Sequence, residues 1–216
     1  MGFLIHDGPF AIDLRISLSP FHPFTLSLPL SPFHPLSPSP FLSLESSKTM
    51  ELRTVAPFLD YFEKIRRRTL RVARCIPADL LEWTATPGKF TFGDLLRHLA
   101  AIERFMYAET VSGRASRYPG HGPDLADGHE AVFRYLDTLH QESMDLFSQL
   151  SDADLQRRCT TPAGIDITTW KWLRSMVEHE VHHRGQIYLM LGLRGIATPP
   201  LFGLTSEEVR QRSQAG

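Results

Sequence analysis

Four stretches of the chain repeat apolar residues at helical spacing, each closed by proline or glycine, and no stretch alternates as a strand does. From Leu52 to about Cys75 the apolar positions are Val55, Phe58 or Leu59, Phe62, Ile65, Leu70 and Ala73, and Pro77 stops the helix. Between them Glu63, Lys64, Arg66, Arg67 and Arg68 read as a solvated face. Thr91 opens the second helix, with Asp94 placed to complete a capping box. Leu95, Leu99, Ile102 and Met106 form its apolar stripe, and Gly113 ends it. A loop holding Pro119, Gly120, Gly122 and Pro123 leads to a third helix from about Leu125 to Leu150, with Val132, Leu136, Leu139, Met144, Phe147 and Leu150 for the core. Pro162 and Gly164 break the chain again, and the fourth helix runs from Thr168 or Thr169 to Gly192. Gly195 and the Pro199–Pro200 pair place the remainder outside it. Four amphipathic helices with no sheet to cover predict an all-α four-helix bundle, a fold whose facing helices can build metal sites.

The first part of the chain does not share this pattern. Residues 1–50 hold eight of the sixteen prolines and nine serines but only five charged residues, and Ser-Pro-Phe-His-Pro occurs at both Ser19–Pro23 and Ser31–Pro35. Prolines at that density deny helix and sheet their backbone donors, so residues 1–49 are expected to be a disordered leader. Asp7, Asp13, Pro9 and Pro20 argue against a secretory signal. Met50 opens the normally patterned sequence, which is also what a start assigned too far upstream would produce. The bundle domain is expected over 50–216. A formal net charge of −1 supplies no field for nucleic acid or an anionic membrane. No apolar run reaches the roughly 18–20 residues of a membrane span. Two distant cysteines, Cys75 and Cys159, form no CxxC pair and fit a reducing cytoplasm.

Ten histidines are present, three of them in Glu178-His179-Glu180-Val181-His182-His183. His179 and His183 are one helical turn apart, so both rings leave the same face, the seam of Trp172, Met176, Ile187 and Met190. An inward imidazole needs a partner. That partner is either a metal shared by the pair or a hydrogen-bonding group on a facing helix, and spacing alone leaves both open. His98, beside Leu95 and Ile102, has the same two readings. The run His-Glu-Val-His-His also spells the HExxH of zinc peptidases, with Glu180 as general base. The metzincin continuation is absent, Glu207 and Glu208 lie beyond the proline pair, and no strand is expected to align a peptide. Glu180 and His183 further imitate one half of a di-iron site, whose second half has only Asp137-x-x-His140 to offer.

Phe90-Thr-Phe-Gly-Asp-Leu-Leu-Arg-His98 resembles the second-helix signature of the DinB/YfiT-like proteins, and His179-Glu-Val-His-His183-Arg-Gly-Gln186 resembles their second signature, H-x-x-x-H-R-G-Q. The segment Leu191 to Pro200 is similar to their closing stretch, so the resemblance spans roughly Leu52 to Leu204. It implies a bundle with a long crossover connection, a homodimer, and one divalent metal ion held by His98, His179 and His183. His182 points about 100° away from its neighbour and is not counted among the ligands.

Three neutral imidazoles leave an ion its full charge and an open position, the arrangement of catalytic rather than structural sites. Zinc, nickel, iron and copper all suit such donors. The resemblance extends to enzymes that use low-molecular-weight thiols, such as bacillithiol S-transferases and mycothiol-dependent isomerases. It therefore implies a metal-activated thiol, or water, acting on a small substrate, with Arg184 steadying an anion and Gln186 orienting a ligand. A metal-stabilised or stress-related binding protein without turnover is the alternative. No basic face or recognition helix supports nucleic-acid binding.

Overall fold

A computed structural model of the chain describes residues 51–214, so the expected leader lies outside the described residues. The helices are α1 (Val55–Ala73), α2 (Phe92–Ile102), a π-helical segment (Glu103–Ala108) running directly into α3 (Glu109–Val111), α4 (His129–Ser148), α5 (Thr169–Leu193) and α6 (Ser206–Gln214). Short 3-10 turns occupy Ala78–Leu80 and Asp152–Gln156.

α1 packs on α4 and α5, and α2 packs on the same two helices. The bundle therefore runs in the order α1, α5, α2, α4, with the pairs α1/α2 and α4/α5 on its diagonals. Each diagonal step needs a long connection, and both carry ordered structure. The first includes the Ala78–Leu80 turn. The second includes an antiparallel hairpin of β1 (Arg158–Thr160) and β2 (Asp166–Thr168), with Cys159 opposite Ile167. This hairpin corrects the expectation that the chain has no strand. Three residues a side is too short to alternate legibly, and its Pro162–Gly164 tip reads as a helix breaker.

The capping box forms as expected: Asp94 N donates to Thr91 Oγ1 at 2.9 Å and Thr91 N donates to Asp94 Oδ2 at 3.0 Å. The third bundle helix starts at His129 rather than Leu125, because Gly128 with φ +80° sets the turn into it. α6, which the sequence pattern left out, is polar, has no buried residue, and begins on another reciprocal cap, between Thr205 and Glu208.

The core is divided. One apolar cluster joins Val72, Leu96, Leu136 and Leu191; another joins Phe58, Phe62, Phe147 and Leu173. Buried polar residues lie between the clusters on three helices, Arg66 and Thr69 on α1, His140 and Ser143 on α4, Glu180 and Arg184 on α5, and buried Glu103 of the π segment joins them through Arg66 and His140. The π turn explains part of this. Its wider turn rotates the helix face, bringing Glu103 and Tyr107 inward while Met106 is left half-buried. Arg66 corrects the reading of a wholly solvated basic face, for it is only 1% exposed.

Candidate metal centre

α2 contributes His98 and α5 contributes His179 and His183, and the adjacency of these helices brings the three rings together. His98 Nε2 lies 3.1 Å from His179 Nε2, and His183 Nε2 lies 3.0 Å from the same atom. One ring nitrogen from each residue falls within 4.8 Å of the others. The outer edges of two rings are held as well. His183 Nδ1 is 2.7 Å from Gln186 Oε1, an acceptor only, so Nδ1 carries the proton and Nε2 turns a lone pair inward. His98 Nδ1 is 2.7 Å from the Tyr118 hydroxyl. Gln186 also reaches His182 at 3.2 Å, so His182 belongs to the exposed rim and not to the cluster.

Burial, followed by the charge of neighbouring imidazoles, lowers the pKa of His98 to about 4 and that of His179 to about 3. Burial also lowers His183, although its bond to Gln186 opposes the change. All three are neutral near pH 7, the form that binds metal. Lone pairs meeting at this separation repel unless a proton or a cation lies between them. A tetrahedral ion with bonds of about 2.0–2.1 Å would space its nitrogens about 3.3 Å apart. The spacing, the inward lone pair of His183 and the neutral state of the rings fit a divalent cation.

Phe90 packs its ring 5.2 Å from His98 and 6.3 Å from His183. Beside it lies a cavity of about 480 Å³ whose wall includes Lys89, Phe90, Leu95, His183, Gln186 and Met190. Arg184 is not there. It turns to α1, with Nη1 3.5 Å from the Ile65 carbonyl, and lines a separate cavity of about 610 Å³ with Tyr188 and Phe202. The sequence places it two residues from Gln186, yet a helix rotates those side chains about 200° apart.

Glu180 also faces away from the histidines. It is 2% exposed, 3.0 Å from Arg66 Nη2, and accepts the Thr69 hydroxyl at 2.7 Å. Burial raises its pKa, Arg66 opposes that and Glu103 adds to it. A side chain drawn toward α1 by Arg66 and Thr69 cannot activate water among His98, His179 and His183, which removes the basis of the peptidase reading. Glu207 and Glu208 are exposed on α6. The di-iron imitation dissolves too: Asp137 is exposed, and His140 joins a different cluster. His140 Nδ1 bonds Glu103 Oε1 at 2.8 Å and Nε2 bonds Glu63 Oε2 at 3.1 Å, while Glu103 also pairs with Arg66.

Sequence reasoning missed Tyr118 and His121, which follow α3 in the connection to α4. The Tyr118 hydroxyl lies 2.9 Å from His121 Nδ1 as well as near His98, and burial with the charge of Asp94 pushes its pKa up to about 12. Neither residue sits in a periodic pattern. Only the presence of a histidine between two glycines, in a loop otherwise made of turn formers, marked the place.

Together these features define a four-helix bundle with an inward trio of imidazoles borne by two adjacent helices. The chain belongs to the DinB superfamily, whose profile matches residues 61–187. Solved structures of low identity share the fold. A DinB-like protein from Bacillus cereus is 16% identical, with a TM-score of 0.57 over 68% of this chain and 97% of that one. A DinB-like protein from Bacillus subtilis, YjoA, is 20% identical with a TM-score of 0.54 over 67% and 96%. YfiT from Bacillus subtilis, described as a probable metal-dependent hydrolase with an unusual four-helix bundle topology, is 16% identical with a TM-score of 0.56 over 71% and 94%. No curated protein matches the chain.

Proposed function

We propose that His98, His179 and His183 hold one divalent metal ion through their Nε2 atoms, and that the protein is a metal-dependent enzyme acting on a small molecule. The observation that carries this reading is the convergence of the three Nε2 atoms, two of them 3.0 and 3.1 Å from the third, with the outer edges of His98 and His183 already engaged. When bound, the ion supplies a Lewis acid that lowers the pKa of a water or low-molecular-weight thiol and so yields a nucleophile near neutral pH. The protein's own residues do the rest. Gln186 holds the His183 ring in its ligating tautomer, and Phe90 shields one side of the cluster. The cavity beside His183 takes the substrate body against Leu95 and Met190, with Lys89 at its wall for a polar or anionic end. The description of YfiT as a probable metal-dependent hydrolase supports water as one nucleophile; the resemblance to thiol-using enzymes supports thiol as the other.

Metal content of the purified protein, beside His98→Ala and His183→Ala, tests the site. About one equivalent is expected in the parent and little in either variant. A parent that stays empty after reconstitution with zinc, nickel and iron in turn sinks the proposal. Activity is then read with two probes, each with and without metal. Consumption of 1-chloro-2,4-dinitrobenzene that needs cysteine, bacillithiol or mycothiol assigns the thiol. Metal-dependent hydrolysis of p-nitrophenyl acetate without thiol assigns water. A loaded protein inert to both is a metal-stabilised binding protein instead.

A further inference from the structure

We infer that Tyr118 and His121 are positioning residues: their hydrogen-bond chain fixes His98 in the tautomer that turns an Nε2 lone pair toward His179 and His183. The inference rests on the metal-site reading above but concerns a property of the metal-free protein. The outer partner of His183 is the Gln186 amide oxygen, which in the orientation the structure shows only accepts. The partner of His98 is a hydroxyl, which can either accept from Nδ1–H or donate to Nδ1. In the second case His98 would carry its proton on Nε2, pointing into the cluster and blocking an ion. What decides between them is the next link. The Tyr118 hydroxyl also lies 2.9 Å from His121 Nδ1. If Nδ1 of His121 accepts, the hydroxyl proton is committed there, and its oxygen is left to accept from His98.

His121 is placed for this by more than the hydroxyl. Its ring centroid sits 4.4 Å from that of Phe90. Its carbonyl accepts from Arg97 Nε at 2.7 Å, and Arg97 Nη1 reaches the Ala126 carbonyl at 3.1 Å. Arg97 is the residue before His98 on α2. It is fully buried and paired with Glu82 at 2.9 Å and Asp94 at 3.0 Å. A Cβ at Gly93 would stand 2.6 Å from Glu82 Oε1 and 2.9 Å from Arg97 Nη2, so the glycine makes room for this clasp. One turn of α2 thus carries both the ligand and the anchor of the segment that orients it. Tyr118 itself is 45% exposed, and its geometry depends on that anchor.

The test is made on the full chain. Long-range 15N NMR of the metal-free protein reads the tautomer of each histidine directly, and competition with a chromophoric chelator reads zinc affinity. The wild type is expected to show His98 protonated on Nδ1. Tyr118→Phe, which keeps the ring, should leave His98 a mixture of tautomers and weaken zinc binding about tenfold, the lower end of the range for orienting partners. His121→Phe removes the acceptor and frees the hydroxyl to donate to His98, so it should move His98 toward the Nε2–H form. His121→Gln restores an acceptor and should recover the wild-type tautomer and affinity, which a purely structural role would not give. A wild type with His98 protonated on Nε2 overturns the inference, as does an unchanged His98 tautomer in both Tyr118→Phe and His121→Phe. If the wild type binds no zinc while the tautomers respond as stated, the metal-site reading fails and this one stands.

Discussion

The protein buries histidine in two ways, and the partners decide the outcome. Among His98, His179 and His183 the nearest polar neighbours are other imidazoles, a glutamine and a tyrosine, so burial has little to oppose it and the rings are neutral. Around His140 burial also works against the charge. There, however, Glu103 bonds one ring nitrogen and Glu63 the other, and together they outweigh burial and raise the pKa. Carboxylates only accept, so both nitrogens of His140 donate and the ring is an imidazolium. One region keeps lone pairs free for a cation; the other has its cations built in, as Arg66 and His140. The lesson is that a buried histidine's chemistry follows from its acceptors, not from burial alone.

The sharpest way to break the contrast is to remove a built-in cation. Arg66→Ala leaves Glu103 and Glu180 without their shared partner and should lower unfolding free energy by about 3–5 kcal/mol, read from urea titration. A loss under about 1 kcal/mol would mean the cluster is open to water. Next, His179→Ala should weaken zinc binding by at least about a hundredfold, beyond what an outer partner accounts for. His140→Asn should leave zinc affinity as it was. Equal effects from the two would erase the distinction.

The two regions should also answer pH with opposite signs. His140 has a folded pKa above its unfolded value of about 6.5, so its stabilisation is complete below that pH and is lost as pH rises through the folded pKa. His98 and His179 have folded pKa values of about 4 and about 3, so in chelator-treated protein their contribution is complete above about pH 6.5 and is lost as pH falls toward those values. The stability difference between wild type and His140→Asn should therefore narrow above pH 6.5. His179→Asn should make the metal-free protein less sensitive to acid between pH 6.5 and 4. The smallest effect is expected from Thr91→Ala, which removes the α2 cap and should cost about 1 kcal/mol.

The sequence made the first region far more legible than the second. Helical spacing put His179 and His183 on one face, and the stripe through Leu95, Leu99 and Ile102 located the core side of α2. Its prolines and glycines marked the breaks. The ionic cluster was hidden for two reasons. Arg66 sits among charged neighbours, and its partner Glu103 is 37 positions away on another helix. The π segment then shifts the phase of the second bundle helix, so a regular period extended past Ile102 turns Met106 inward in place of Tyr107. Arg184 was misplaced because proximity in a motif says nothing of which way a side chain leaves the helix. Tyr118 and His121 depend on a loop geometry that no period describes.

The ring order of the helices also governs when the site can exist. His98 and His179 are 81 positions apart, and α5, the last helix of the bundle, must dock between α1 and α2 before their rings meet. Loop-closure entropy has to be overcome before that contact gives anything back. A nascent chain ending ahead of α5 holds a single imidazole of the trio and no means of gripping an ion. On the proposed metal site, capture of the ion would therefore close assembly rather than seed it.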